Sequence, residues 1–235
     1  MKNLKKQQKY KYAFTLSEVL IALTVIGVIA AITVPALIQN TQKQEYVSAL
    51  KKTYSTLSQA TNMIIAENGS PKCIDEEGNE TGWACTADDV YNMYKKYLNN
   101  VKECGMDKGC VNQLENQTAG YNFLHGGKNS NNYGKNNMRR LVLADGIQIM
   151  FGTENKNCSL DKDGSSKFCV SIFADINGFK KPNTYGRDVF LFVLKEKGLY
   201  PAGCDTNEED EYCTDSSRAG DACTCKVLRE GAMNY

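Results

Sequence analysis

Twenty consecutive residues, Val19 to Ile38, carry no charge and are almost wholly apolar, and they stand directly behind a lysine-rich start. At about 1.5 Å per residue, such a run crosses the roughly 30 Å of hydrocarbon in a bilayer as one helix. Lys2, Lys5, Lys6, Lys9 and Lys11 fall in the first thirteen residues, with no acid among them. Basic flanks of this kind stay on the cytoplasmic side, so the chain beyond Ile38 is expected outside the cytoplasm. A cleaved secretory signal would have a shorter apolar region followed by small residues. Here the run is long and a helical pattern continues past it, which predicts a retained, single-pass anchor in the cytoplasmic membrane. Without the five leader lysines, the 27 acidic residues outnumber the remaining basic ones. A mildly acidic body argues against nucleic acid as a partner, because phosphate binding uses clustered cations.

Glu18 resists a plain anchor reading. A lone carboxylate at the head of an apolar run is costly in a bilayer and usually marks a partner, unless it sits solvated among the headgroups. The stretch Ala13-Phe14-Thr15-Leu16-Ser17-Glu18-Val19-Leu20-Ile21 resembles the cleavage and methylation signature of type IV prepilins and type II secretion pseudopilins. Gly27 and Pro35 resemble the glycine and proline usual within that family's helix, and the likeness covers about the first 55 residues. Ala13 stands where the family usually has glycine, and Ser17 where an aliphatic residue is common.

The resemblance implies that a prepilin peptidase cuts after Ala13 and that the new Phe14 amine is methylated. It also implies that Glu18, the fifth residue after the cut, helps assembly into a filament with other pilin or pseudopilin subunits. The implied partners are the membrane, those subunits, the peptidase, and an assembly ATPase with its platform proteins. The physical chemistry agrees. A free amine on Phe14 needs a counter-charge in a low-dielectric bundle, and a carboxylate four residues on supplies one to a neighbour or to its own chain. Pro35 removes a helical hydrogen bond, so the stretch from Gly27 to Pro35 is expected to loosen when helices pack.

After Pro35 the pattern turns amphipathic. Val47, Leu50, Tyr54, Leu57, Thr61 and Ile64 recur at three- and four-residue steps. Asn68-Gly69 followed by Pro71 is a stop signal, so one helix is expected from about Leu16 to Glu67. Asp88 to Val101 reads as a short helix and Asn129 to Asn137 as a loop. Arg140–Ala144 and Ile147–Phe151 flank Asp145-Gly146 as a hairpin. Cys169–Ala174 alternates as a strand, and the apolar run Val189–Leu194 reads as a central strand. The expected fold is therefore α+β and pilin-like: a long N-terminal helix packed on an antiparallel sheet, with a disulfide-rich C-terminal region. The expected organisation is a leader at 1–13, a membrane and assembly helix at 14–38, and a globular head at 39–235 that includes the amphipathic half at 39–67.

Ten cysteines, Cys73, Cys85, Cys104, Cys110, Cys158, Cys169, Cys204, Cys213, Cys223 and Cys225, all follow the anchor. An even number on the exported side predicts five disulfides. Local pairs are expected: Cys73–Cys85, Cys104–Cys110 and Cys158–Cys169. Cys223 and Cys225 are too close to bond each other without strain and are expected to reach different partners, Cys204 and Cys213.

The most patterned loop runs from Asp175 through Asn177-Gly178 to Asp188. Two readings stay open. One is a calcium loop with Asp175, Asn177 and Asp188 as ligands. The other is a turn in which Asp and Asn cap their own backbone, stiffened by Pro182. Asp161–Gly164 reads as a hairpin tip. The single histidine, His125, reads as a surface loop residue and cannot build a multi-histidine metal site. No catalytic constellation stands out, so a structural filament subunit without enzymatic activity is expected. The alternative is a minor tip subunit whose disulfide-rich head binds a secreted substrate, a surface or DNA.

Overall fold

The computed structural model describes residues 15–73, 79–105, 121–127, 138–153, 158, 169–204, 213, 220 and 222–235. The chain divides into two compact units, Met1–Gln42 and Lys43–Tyr235. Helix α1, Leu16–Asn68, runs unbroken across Gly27 and Pro35. In the first unit nearly every described side chain of α1 is exposed, including Leu20, Ile21, Ile26, Ile32 and Leu37. It is the one helix among the described residues long and apolar enough to cross a membrane. Thr24 and Thr33 turn their hydroxyls back to the carbonyls of Leu20 and Ile29, so neither presents an unmet donor to lipid.

In the second unit the same helix becomes one-sided. Val47, Leu50, Thr53, Leu57, Ala60, Thr61 and Ile64 are buried. They pack on a six-stranded antiparallel sheet of order β1-β2-β3-β4-β5-β6. Its strands are β1 (Asn100–Gly105), β2 (Arg139–Leu143), β3 (Gln148–Thr153), β4 (Val170–Asp175), β5 (Val189–Lys195) and β6 (Gly198–Pro201). Leu141, Ile149, Phe151, Ile172, Phe190, Phe192 and Leu194 share the core with the helix. Tyr54 stacks on Phe192 with ring centroids 5.7 Å apart.

Helix α2 (Ala87–Tyr97) caps its start with Thr86, whose hydroxyl accepts from the Asp89 amide. Its Tyr94 is fully buried, sharing a 2.5 Å hydrogen bond with the Thr61 hydroxyl and lying against Phe151. The helix ends four residues before the Val101 that the sequence suggests. The Asn100 side chain donates to the carbonyls of Lys95 and Leu98, taking up the orphan groups of the last turn. The chain then leaves as β1, an edge strand whose register shifts and charged Lys102 and Glu103 discourage further pairing. Val189–Leu194 lies inside the sheet, as its apolar run implies. β5 pairs on both sides but lies next to the edge strand β6, which the sequence reading does not separate from it.

The other face of the sheet is covered too. Tyr121, Met138, Met150, Phe173, Tyr185 and Val189 form a second cluster there. Helix α3 (Cys223–Glu230) closes the end: the Thr224 hydroxyl accepts from the Leu191 amide at 3.0 Å. Four disulfides join described residues: Cys73–Cys85, Cys158–Cys169, Cys204–Cys225 and Cys213–Cys223. Cys104 is disulfide-bonded as well, and Cys110 lies outside the described residues. The readings of Asn129–Asn137 as a loop and Asp161–Gly164 as a hairpin tip also fall outside them.

Candidate functional site

The first turn of α1 has a defined geometry. Thr15 is the N-cap and Glu18 the third helical residue. The Thr15 amide and hydroxyl each donate to Glu18 Oε2 at 2.8 Å, and the Glu18 amide donates back to Thr15 Oγ1 at 3.2 Å. This reciprocal pair is a capping box, which satisfies helix-start donors that otherwise lack partners. Both of these bonds to the carboxylate fall on Oε2. Ala13 and Phe14 lie outside the described residues. A Cβ added at Gly27 would meet nothing within 4 Å, so the glycine leaves bare backbone on an apolar surface. Bare backbone of this kind allows another helix to approach closely in a membrane.

Thr15 is the residue that the sequence reading passes over, although Thr-Leu-Ser-Glu before an apolar run carries the capping-box spacing. Thr15→Ala should lose the cap at a cost of about 1 kcal/mol. The expected outcome is a modest fall in filament yield, with insertion intact, checked by shearing and quantifying filaments.

In the head, the loop from Asp175 to Asp188 gathers buried oxygens. Asp188 accepts from the amides of Thr184 (2.6 Å) and Asn183 (2.7 Å) and from the Asn177 side chain (2.9 Å). That is the self-capping the turn reading calls for. Asp175 is 1% exposed and takes the Tyr121 hydroxyl on Oδ2 at 3.3 Å. Asp175 Oδ1, Asn177 Oδ1 and Asn183 Oδ1 are buried without a hydrogen-bond partner among the described residues. These are hard oxygen donors of the sort calcium takes. Among the described residues, no group of three or more His, Cys, Asp or Glu gathers as a metal site. His125 is exposed and stacks on Phe123.

Burial pushes the Asp175 carboxyl up to about 8, reinforced by nearby Asp188 and opposed by the Tyr121 hydroxyl and the Asn177 and Gly178 amides. Burial also raises Asp188, against the pull of the Thr184 and Asn183 amides and the Asn177 side chain. The folded chain therefore keeps a proton on Asp175 that the unfolded chain releases near pH 4. Between those values folding binds a proton. Stability from this group is full below about pH 4 and is lost as pH rises towards about 8, by at most about 1.4 kcal/mol per unit. In chelator, the thermal midpoint should fall from pH 5 to pH 8, and Asp175→Asn should flatten that slope. Calcium binding at these oxygens, proposed from the residue pattern, is tested in the same melt: a calcium-loaded loop melts higher at pH 8 than one held in chelator.

A family model described as "Family of unknown function (DUF6613)" matches residues 36–217, more than half of the chain. The chain belongs to this family. Residues 8–34 of this DUF6613 member match a second model, the prokaryotic N-terminal methylation motif. That motif is the prepilin-type signal of type IV pilins and pseudopilins, so this is a type IV pilin-like subunit. Neither the curated proteins nor the solved structures contain a match. Proteins with this motif are normally structural rather than catalytic, are processed by a prepilin peptidase and assemble with other pilin subunits. The exposed apolar half of α1 and the motif fit a membrane-anchored DUF6613 chain with its head outside the cytoplasm.

Proposed function

We propose that this chain is a structural filament subunit, cut between Ala13 and Phe14 and methylated on the Phe14 amine. It then waits in the membrane and enters a pilus or secretion pseudopilus through α1. The observation that carries the proposal is the methylation motif overlapping an apolar helix half whose described side chains are exposed. Among the described residues, no side chain from 16 to 42 is fully buried, which leaves this apolar surface for lipid or neighbouring helices to cover. In the membrane the cover is lipid; in a filament it is the same half of other copies. Glu18 supplies the counter-charge for a neighbour's Phe14 amine, and the Thr15 cap holds that carboxylate at the helix start.

Mass spectrometry of the membrane form from peptidase-positive cells should recover a peptide that begins at methylated Phe14. Recovery of an intact Met1 terminus from such cells would overturn the processing step.

A further inference from the structure

A glutamine is walled into the covered face of the sheet. Gln148 opens β3, and strand alternation puts it on the same face as Met150, which clusters with Tyr121 and Phe173. Gln148 is 1% exposed. Its cross-strand neighbour on β2 is Val142, which offers no polar side chain. Its neighbour on β4 is Asp175, also 1% exposed. Among the described residues, Gln148 Oε1, Gln148 Nε2 and Asp175 Oδ1 are all buried without a hydrogen-bond partner. Asp175 Oδ2 is taken by the Tyr121 hydroxyl.

These polar atoms, on two facing residues, define what fits between them. Side chains directly opposite on antiparallel strands start from Cβ atoms about 4.5–5.5 Å apart, so one small molecule can touch both. A buried amide left unmet gives up its bonds to solvent and gains none in return, which makes its burial costly. Nε2 needs an acceptor and Oε1 needs a donor. A metal ion serves Oε1 but is repelled by the Nε2 hydrogens, and an anion does the reverse. Water serves both: it accepts from Nε2 and donates to Oε1 of the same amide. What is left of it reaches Asp175 Oδ1, as donor to the ionised carboxylate or acceptor from the protonated acid. That makes three bonds in either state, the usual number for a buried water. Turning the amide over leaves the arrangement unchanged.

We propose that a water molecule is buried between Gln148 and Asp175, bridges β3 to β4 on the covered face, and is a fixed part of the folded head. Gln148 thereby gains a role that its strand position does not suggest: its amide holds the water, and the water holds Asp175 Oδ1. The bridge is separate from the bonds around Asp188, whose carboxylate takes the Thr184 and Asn183 amides and the Asn177 side chain.

The test uses the full-length chain, isotope-labelled, in detergent micelles with chelator. Rotating-frame magnetic resonance should show cross-peaks between water and the Gln148 side-chain amide protons, opposite in sign to chemical exchange. Gln148→Met fills a similar length without polar hydrogen-bonding groups. With the water in place, this variant strips it of two bonds, and the folding equilibrium constant read from denaturant titration should fall about tenfold, the worth of one to two hydrogen bonds. Without the water, the variant removes an unmet amide and the head becomes more stable. A more stable Gln148→Met head therefore overturns the proposal. So does the absence of water cross-peaks at the Gln148 amide, as when its contacts run to another side chain of the head. A calcium-induced rise in the melting midpoint that disappears in Gln148→Met gives the place to a cation and overturns it too. Should Gln148→Met fail to fold, the cross-peaks in the native chain decide alone.

Discussion

Glu18→Val should leave the chain inserted and cleaved yet reduce filament entry by a hundredfold or more. Insertion survives because valine makes the segment more apolar. Cleavage survives because the cut lies at Ala13, five residues away. Assembly fails because a neighbour's Phe14 amine then enters an apolar bundle without a counter-charge, and an unpaired buried charge costs roughly 3–5 kcal/mol. The capping box adds a control. Glutamine in the third helical position still accepts from the N-cap residue, so Glu18→Gln keeps the helix start that Thr15 and Glu18 form while removing the charge. If charge pairing is the mechanism, both variants fail to assemble. If the cap alone matters, Glu18→Gln assembles and only Glu18→Val fails. Sheared filaments and cross-linked oligomers from the native host give the comparison. Normal assembly of both variants would remove Glu18 from the mechanism.

Reduction of the disulfides is the other large effect. The four bridges between described residues close loops of 10 to 21 residues. Each such loop contributes roughly 3 kcal/mol in the chain-entropy account. Together that rivals the 5–15 kcal/mol by which whole domains are stable. Strong reductant should therefore abolish cooperative melting of the head, while α1 helicity in the membrane persists. Cys213→Ser with Cys223→Ser should lower the midpoint by roughly 6–12 °C, at about 2–4 °C per kcal/mol for a domain of this size. This pair and Cys204–Cys225 hold the eight residues of α3 on the sheet, and through Thr224 they keep the Leu191 amide satisfied. Circular dichroism with and without reductant makes the measurement. Superimposable melts would show that the core alone holds the head together.

The long helix was legible because its signals are local. Charge before Ala13, apolar length from Val19 to Ile38, then three- and four-residue spacing up to Ile64 need no knowledge of the fold. Its stop at Asn68 was legible for the same reason, as was the hairpin at Asp145-Gly146. Thr15 could have been read from its spacing to Glu18. β1 and β6 were harder. Four to six residues with mixed polarity carry little period-2 signal, and an edge strand buries only part of itself.

The sequence by itself determined the apolar span, the helix that continues from it, and cysteines restricted to the residues that follow the span. These rest on hydrophobicity, charge and spacing within one segment. Tertiary structure alone decided the character of β4. Val170, Ile172 and Ala174 face the α1 core, while Phe173 packs in the cluster on the opposite side and Asp175 is buried with it. An alternating strand normally leaves one face to water. Here residues 121–127, about fifty positions before it, and the loop that follows β4 cover that face, so an aspartate placed as a solvent residue by its period becomes buried. Its raised carboxyl, and an Oδ1 that has no hydrogen-bond partner among the described residues, follow from that cover, because desolvation depends on what packs against a group.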